Sequence, residues 1–450
     1  MIFVFENLTH RRNFVDCPDL NPSTIQRFTP SPVATTMIRH NQLQERFENL
    51  NLSNIEVQDS HWAKFSQKPY IIASGVAHSP YDWCGETIAP NDTRKSLFSF
   101  LCPTYLEGLQ TGRALLMLDQ SHEGYQTDWL WSWFHTHCER YKISPSRIIY
   151  VTGNANCKSQ YNTWCDQHGI KDRLHAVPSF HFERMIYHAS INRVRFDHLP
   201  PLPSFSDQIQ YKRSNLHRIK SYNALQKRIR SHRVWLLKKL NDNNLVHDGI
   251  LSMNQIGKNA SYMDGKFINE TETDLLRSML PLFPYDDPTK ELDAFASQDS
   301  GKYLREFSPE ITLNSWVTVI SEASFSDSDN TCFVSEKTFK PFCCHHPFIV
   351  YGNKGSLQHL RDLGYKTFHP YINEDYDNYN TWERLEAVIE NIKSIHRMTP
   401  KEKIKWYRQL GPILEHNSEI IRRNTISYAP LEMLEVHNIY QEFNNATFSD

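Results

Sequence analysis

No run of about 18 apolar residues occurs in the 450-residue sequence, so no segment reads as a membrane-spanning helix. The opening residues, MIFVFENLTH, lack a basic n-region and a long apolar stretch, so no secretory signal is expected. There is no CxxC pair, no HExxH and no Cys/His spacing of the zinc-binding kind, and none of the 22 His falls into a metal pattern. A Walker-type phosphate loop, a GxGxxG turn and a GxSxG elbow are also absent. Charge of one sign is not in excess. Lys and Arg number 49 against 51 Asp and Glu, for a net charge of -2. A protein that held a long polyanion mainly by counterion release would be more basic.

What is present is globular: 39% hydrophobic residues, 22% charged and 12% aromatic. The length suits two domains of roughly 150 to 250 residues each. The nine cysteines are Cys17, Cys84, Cys102, Cys138, Cys157, Cys165, Cys332, Cys343 and Cys344. They are odd in number and scattered, which reads as free thiols in a reducing compartment.

The first 60 or so residues are polar and show no clear pattern. From Lys68 the pattern is α/β. PYIIASGVA, RALLMLDQSHEG, RIIYVTGNAN and LHAVPSFHF read as strands, with helical segments in TDWLWSWFHTHCERY and KSQYNTWCDQHG. Strands alternating with helices predict a parallel sheet with covering helices. Ligands bind beyond the carboxyl ends of such strands, so residues 74–78, 119–124 and 153–156 are site candidates. HLPPLPSFSDQ, at 198–208, reads as an interdomain linker. Beyond it NLHRIKSYNA and ILSMNQ are strand candidates, and SHRVWLLKKLNDNNL is an amphipathic helix with Ser231 as its expected N-cap. SWVTVISEAS and PFIVYG are further strands, SEKTFKPFCCH starts a helix, SLQHLRDLG is a short helix closed by Gly364, and KTF is an expected edge strand.

The densest constellation is VISEAS, then VSEKTFKP, then PFIVYG. A strand delivers Glu322 to a sheet edge, and a helix begins near Ser335 with Glu336 and Lys337 in its first turn. A helix start favours anions, and a Lys there opposes the dipole unless a bound anion is held by both. Lys340 lies three residues on from Lys337. The alternative is a capping box with solvated lysines. A second basic cluster, Lys227, Arg228, Arg230, His232 and Arg233, follows a strand that contains Asn223. It suits phosphate, or it is a solvated helix face.

These elements resemble the α-1,3-fucosyltransferase family and its phage and bacterial relatives. That family carries a Glu-Asn-Ser element, a Tyr-Val-Thr-Glu-Lys element and a strand ending in Tyr-Gly. Here the corresponding segments are SEAS, FVSEK and PFIVYG, with Ala323 where the family has Asn. The resemblance spans about residues 212–375 and includes SYNALQKRIRSHRVWLLKKL. It implies a GT-B-like fold, two Rossmann-like domains facing each other across a cleft. The domains are expected at 1–200 and 201–425, with a helical tail at 426–450 returning to the first.

The implied activity is inverting transfer of a sugar from a nucleotide sugar, such as GDP-fucose, to a hydroxyl of a glycan or other acceptor. Neither metal nor cofactor is expected. By the resemblance Arg233 and Lys337 hold the diphosphate, with Arg230, Asn223, Ser335 and Lys340 nearby. Glu336 bonds sugar or ribose hydroxyls, and Glu322 borders the donor. The family takes its general base from the N-terminal domain, where Glu123 is the first candidate and Asp119 the second. Asp327 and Asp329 form a DxD, read here as a solvated loop, and Asp286-Asp287 reads as a turn. The alternatives are a transferase acting on nucleic-acid bases or on a protein, a catalytically silent donor-binding module, or a structural protein that binds no nucleotide. The basic stretch from Lys212 to Lys239 keeps nucleic acid open without favouring it. A cytoplasmic setting, in bacteria or virus-infected cells, is expected.

Overall fold

Residues 70–75, 114–120 and 148–152 are apolar runs without a polar alternation. That pattern belongs to strands covered on both faces. In the computed structural model all three are strands with every residue buried: β3 (Tyr70–Gly75), β4 (Ala114–Gln120) and β5 (Ile148–Thr152). The structure describes residues 1–5, 33–34, 37, 55–58, 60–75, 98, 101–124, 128–179, 181–195, 198–226, 229–253, 269–279, 307–323, 325, 331–426 and 431–448. Asp327, Asp329, Asp286, Asp287, Lys227, Arg228 and residues 76–78 lie outside them.

The chain divides into two units. One comprises Met1–His181, Asp329–Phe333 and Asn424–Asp450. The other comprises Phe182–Ser328 and Val334–Arg423. Both are α/β, and among the described residues each contains one all-parallel sheet.

The sheet of the first unit has the order β2-β1-β3-β4-β5-β6, with β1 at Ile2–Phe5, β2 at Glu56–Gln58 and β6 at His175–Pro178. Successive side chains of a strand take opposite faces, and two cores result. Ile72, Leu116, Leu118 and Tyr150 pack with Trp131, Phe134 and Tyr161 from the helices Asp128–Arg140 and Cys157–Gln167. Ile71, Met117, Ile149 and Val151 pack with Phe3 and with Met433, Val436 and Tyr440 of the helix Leu431–Phe448. That last helix is also held by polar contacts: Tyr440 Oη donates to the Pro69 carbonyl at 2.9 Å, and Lys158 bonds Glu435.

The sheet of the second unit has the order β10-β9-β7-β8. Its strands are β7 (Lys220–Leu225), β8 (Gly249–Ser252), β9 (Ser315–Ser321) and β10 (Phe348–Tyr351). The helix Thr381–Arg397 packs on β7 and β10. Lys212 is fully buried and donates to the carbonyls of Thr312 at 2.7 Å, Leu313 at 3.1 Å and Ser315 at 2.5 Å. It therefore braces the start of β9 and is not available to a polyanion.

Three sequence expectations change. The stretch from 198 is irregular only to Ser204, which with Asp207 forms a capping box opening the helix Phe205–Ser214. A Ser/Asp pair at that spacing wins over the preceding prolines. KTF, at 366–368, is not a strand. The N-cap of the helix Ser231–Asp242 is Arg230, because the Ser231 hydroxyl donates to Glu272 at 2.5 Å instead of capping. The seven cysteines among the described residues are all free thiols.

Leu116 sits at the centre of β4, fully buried. Leu116→Ala is expected to cost about 2–5 kcal/mol, read as a lower urea midpoint for the first unit. An unchanged midpoint would contradict the placement of this strand in the middle of the core.

Candidate functional site

At the carboxyl end of β9 the chain turns on Glu322, a carboxylate with 0% exposure. A buried carboxylate is tolerated only when hydrogen bonds replace its water. Glu322 Oε1 accepts the Ser335 N–H at 3.1 Å and the Thr338 hydroxyl at 2.6 Å, and Oε2 accepts the Ala323 N–H at 3.2 Å. Its own N–H donates to the Tyr351 carbonyl of β10 at 3.1 Å. A Cβ at Gly352 would come within 3.1 Å of Glu322 Cγ, so the glycine after PFIVY leaves room for the carboxylate stem.

The carboxylate thus lies under the start of the helix Glu336–Cys343, where a negative charge is favourable. Ser335 is the N-cap, accepting the Lys337 N–H at 3.4 Å. Lys337 Nζ lies 2.5 Å from Glu336 Oε1 and 3.3 Å from Ser335 Oγ. The Lys337 side chain keeps 31% of its surface exposed, against 7% for Glu336. Burial alone would raise the Glu336 pKa, but the ammonium of Lys337, with Lys340 behind it, outweighs burial and holds the carboxyl below its ordinary range. The first turn therefore presents one partly exposed ammonium with a carboxylate fixed beside it.

The helix Ser231–Asp242 is fastened to the same strand end. Arg233 Nη2 donates to the carbonyls of Ser321 at 3.0 Å and Glu322 at 3.2 Å. His232 Nε2 lies 3.1 Å from the Glu322 carbonyl. Burial, reinforced by Arg233 and Arg230, pushes the His232 pKa well down, so the ring is neutral and Nε2–H is the donor. Its other side stacks on Phe325 at 4.7 Å between centroids.

The predicted site residues now separate. Ser335, Glu336 and Lys337 come together at one helix start, over Glu322, with Lys340 half-buried one turn on. Arg230 is half-buried at the N-cap of its helix. Arg233 differs from expectation. The residue is buried and its Nη2 bonds strand-end carbonyls, so it anchors the helix to β9. Asn223 also differs. Its amide donates to Ser315 Oγ and Thr318 Oγ1, both at 2.8 Å, which ties β7 to β9 inside the sheet. Thr338 and Tyr351 complete the framework and are absent from the sequence reading of the site, whereas His232, part of the basic cluster read there for phosphate, bonds the Glu322 carbonyl. The spacing of Thr338 three residues after the N-cap was the available signal.

In the first unit, Asp119 ends β4 fully buried, accepting the Val33 N–H at 2.8 Å and the Ser121 N–H at 3.0 Å. These two backbone bonds make the Asp119 carboxylate a clamp at the end of β4. Glu123 is half-buried, and its carbonyl accepts the Gly153 N–H at 2.8 Å and the Thr152 hydroxyl at 3.1 Å. Residues 153–156 form a dock: Asn154 Oδ1 accepts the Cys332 N–H at 3.0 Å, and a Cβ at Gly124 or Gly153 would strike the Phe333 ring at 2.5 or 2.6 Å. Among the described residues no group of three His, Cys, Asp or Glu could hold a metal ion, and no helix is long and apolar enough to cross a membrane.

No known family model matches the chain, and no curated protein matches it. Among solved structures the chain is similar to a trehalose-6-phosphate synthase, OtsA, at 9% identity and a TM-score of 0.34, over 95% of this chain and 99% of that one. A likeness of that strength carries no weight for activity.

The Glu336 pairing has a pH signature. A carboxyl whose folded pKa lies below its ordinary 4.5 adds stability above that value and loses it as pH falls through the folded pKa. The stability difference between the parent and Glu336→Gln, from urea midpoints, is therefore expected to shrink on acidification from about pH 5 to about pH 3. A difference that stays constant or grows would contradict the ion pair.

Proposed function

We propose that the chain is a glycosyltransferase of the GT-B kind that moves a sugar from a nucleotide-sugar donor to a hydroxyl acceptor with inversion. The donor site is the carboxyl end of β7 and β9. The observation that carries this reading is the Ser335-capped helix start with the partly exposed Lys337 ammonium, seated on the end of β9 by Glu322.

In glycosyl transfer the bond between the sugar C1 and the diphosphate oxygen breaks with its electron pair going to the diphosphate. Positive groups held where that charge grows lower the barrier. Lys337 and Arg230 would supply them, and this positive charge is the role a divalent ion plays elsewhere. Glu336, kept ionised beside Lys337, would accept hydrogen bonds from sugar or ribose hydroxyls. The acceptor oxygen forms its bond to C1 from the opposite face and gives its proton to a carboxylate. Glu123 is the candidate, half-buried in the turn after β4 with its carbonyl pinned by Gly153 and Thr152. A GDP-sugar donor is the specific expectation carried over from the fucosyltransferase resemblance.

Other observations weigh against a nucleic-acid groove in the 212–239 stretch. Lys212 and Arg233 are buried, Lys238 pairs with Asp242 and Lys239 with Glu386.

Calorimetry with GDP, UDP, ADP, CMP and dTDP, in chelator, tests the reading. One nucleotide is expected to bind the parent selectively, with Lys337→Ala and Arg230→Ala each weakening it about tenfold or more, equivalent to about 1.4 kcal/mol. Binding of none of them by a folded sample, or equal binding by Lys337→Ala, would overturn the donor site.

A further inference from the structure

Two polar side chains at the same sheet edge have no partner. Gln226 follows β7 directly and is 2% exposed. Its N–H donates to the Ser252 carbonyl and to Ser252 Oγ, both at 3.1 Å, so its backbone is fixed. Yet neither its amide nitrogen nor its amide oxygen meets a hydrogen-bond partner. The Ser321 hydroxyl, on the last residue of β9 and 3% exposed, is likewise unpartnered.

The two fall at one level of the register. Asn223 of β7 pairs with Thr318 of β9, and continuing that register by three residues reaches Gln226, just past β7, and Ser321, the last residue of β9. Ser321 in turn pairs with Tyr351 of β10. Parity puts Gln226 on the face of Tyr222, whose hydroxyl donates to the Leu245 carbonyl just beyond the helix Ser231–Asp242. That helix is the one whose Arg233 bonds the Ser321 carbonyl.

A buried amide left without partners costs about 1–3 kcal/mol, and native folds leave few such groups unexplained. Placed where open α/β sheets bind ligands, an orphaned amide and an orphaned hydroxyl at the same level of the sheet end point to a ligand group. Their chemistry narrows it. Lys337 and Arg230 are cations suited to phosphate. Gln226 and Ser321 are neutral, and each can both donate and accept, as a partner for a hydroxyl must.

We propose that Gln226 and Ser321 form a hydroxyl-binding subsite of the donor site, holding either the ribose of the nucleotide or the transferred sugar. The inference rests on the donor-site reading above and adds residues outside its phosphate-binding set.

The test uses calorimetry with inorganic pyrophosphate, with GDP and UDP, and with their hexose conjugates, on the parent, Gln226→Leu and Ser321→Ala. Both variants are expected to bind pyrophosphate within about twofold of the parent and to lose about fivefold or more against a hydroxyl-bearing ligand. Loss already seen with GDP or UDP identifies the ribose, and loss confined to the conjugates identifies the sugar. Gln226→Leu is expected to melt no earlier than the parent, because an unpaired amide contributes nothing to the fold. If both variants bind every nucleotide and conjugate like the parent, or lose pyrophosphate equally, the subsite is wrong. If the parent itself binds neither pyrophosphate nor any nucleotide, the donor site falls and this inference with it.

Discussion

The second unit is organised around one residue. The Glu322 side chain holds the start of the helix Glu336–Cys343, while its carbonyl takes Arg233 and His232 from the helix Ser231–Asp242 and its N–H ties to β10. The carboxylate is satisfied by the start of the helix Glu336–Cys343, and the main chain of the same residue meets the other two elements. Leaving its partners unpaired would cost about 1–3 kcal/mol for each buried group. The acidic side chain thus seats one helix start on the strand end, and the strand-end carbonyls hold the other.

This arrangement sets the charge balance of the proposed site. A helix start contributes about half a positive charge, which Glu322 alone more than offsets. With Glu336 added, the bare helix start would repel a diphosphate. Lys337, Lys340, Arg230 and Arg233 bring four positive charges to the same strand end against these two carboxylates. The cations win, and Lys337 in the first turn is partly exposed. The position of that Lys in a first turn, unfavourable for a helix alone, is compensated by the neighbouring Glu336.

Much of this was legible in the sequence. The uninterrupted runs YIIASG, ALLMLDQ and IIYVT marked strands covered on both faces, and SEK after VISEAS marked a strand end followed by a helix start. β1 was not legible, because IFVF is four residues long and is followed by a polar stretch without period. KTF looked apolar enough for an edge strand and is not one. Among polar residues the sequence marked the strand ends correctly but not the direction of each side chain. Asn223 and Asp119 are satisfied within the fold, and Arg233 grips main-chain carbonyls, whereas Gln226, chemically unremarkable in the sequence, is orphaned at the sheet edge. Strand parity decides such cases. A shift of one residue reverses the face, and sequence patterns locate strand ends less finely than that.

Amide hydrogen exchange of the full chain, with and without a bound nucleoside diphosphate, reports on the two helix starts at this strand end. Added protection is expected at residues 335–338 and 229–233, the two helix starts that meet Glu322. Nucleotide binding that leaves these amides unchanged and protects another part of the chain would contradict it.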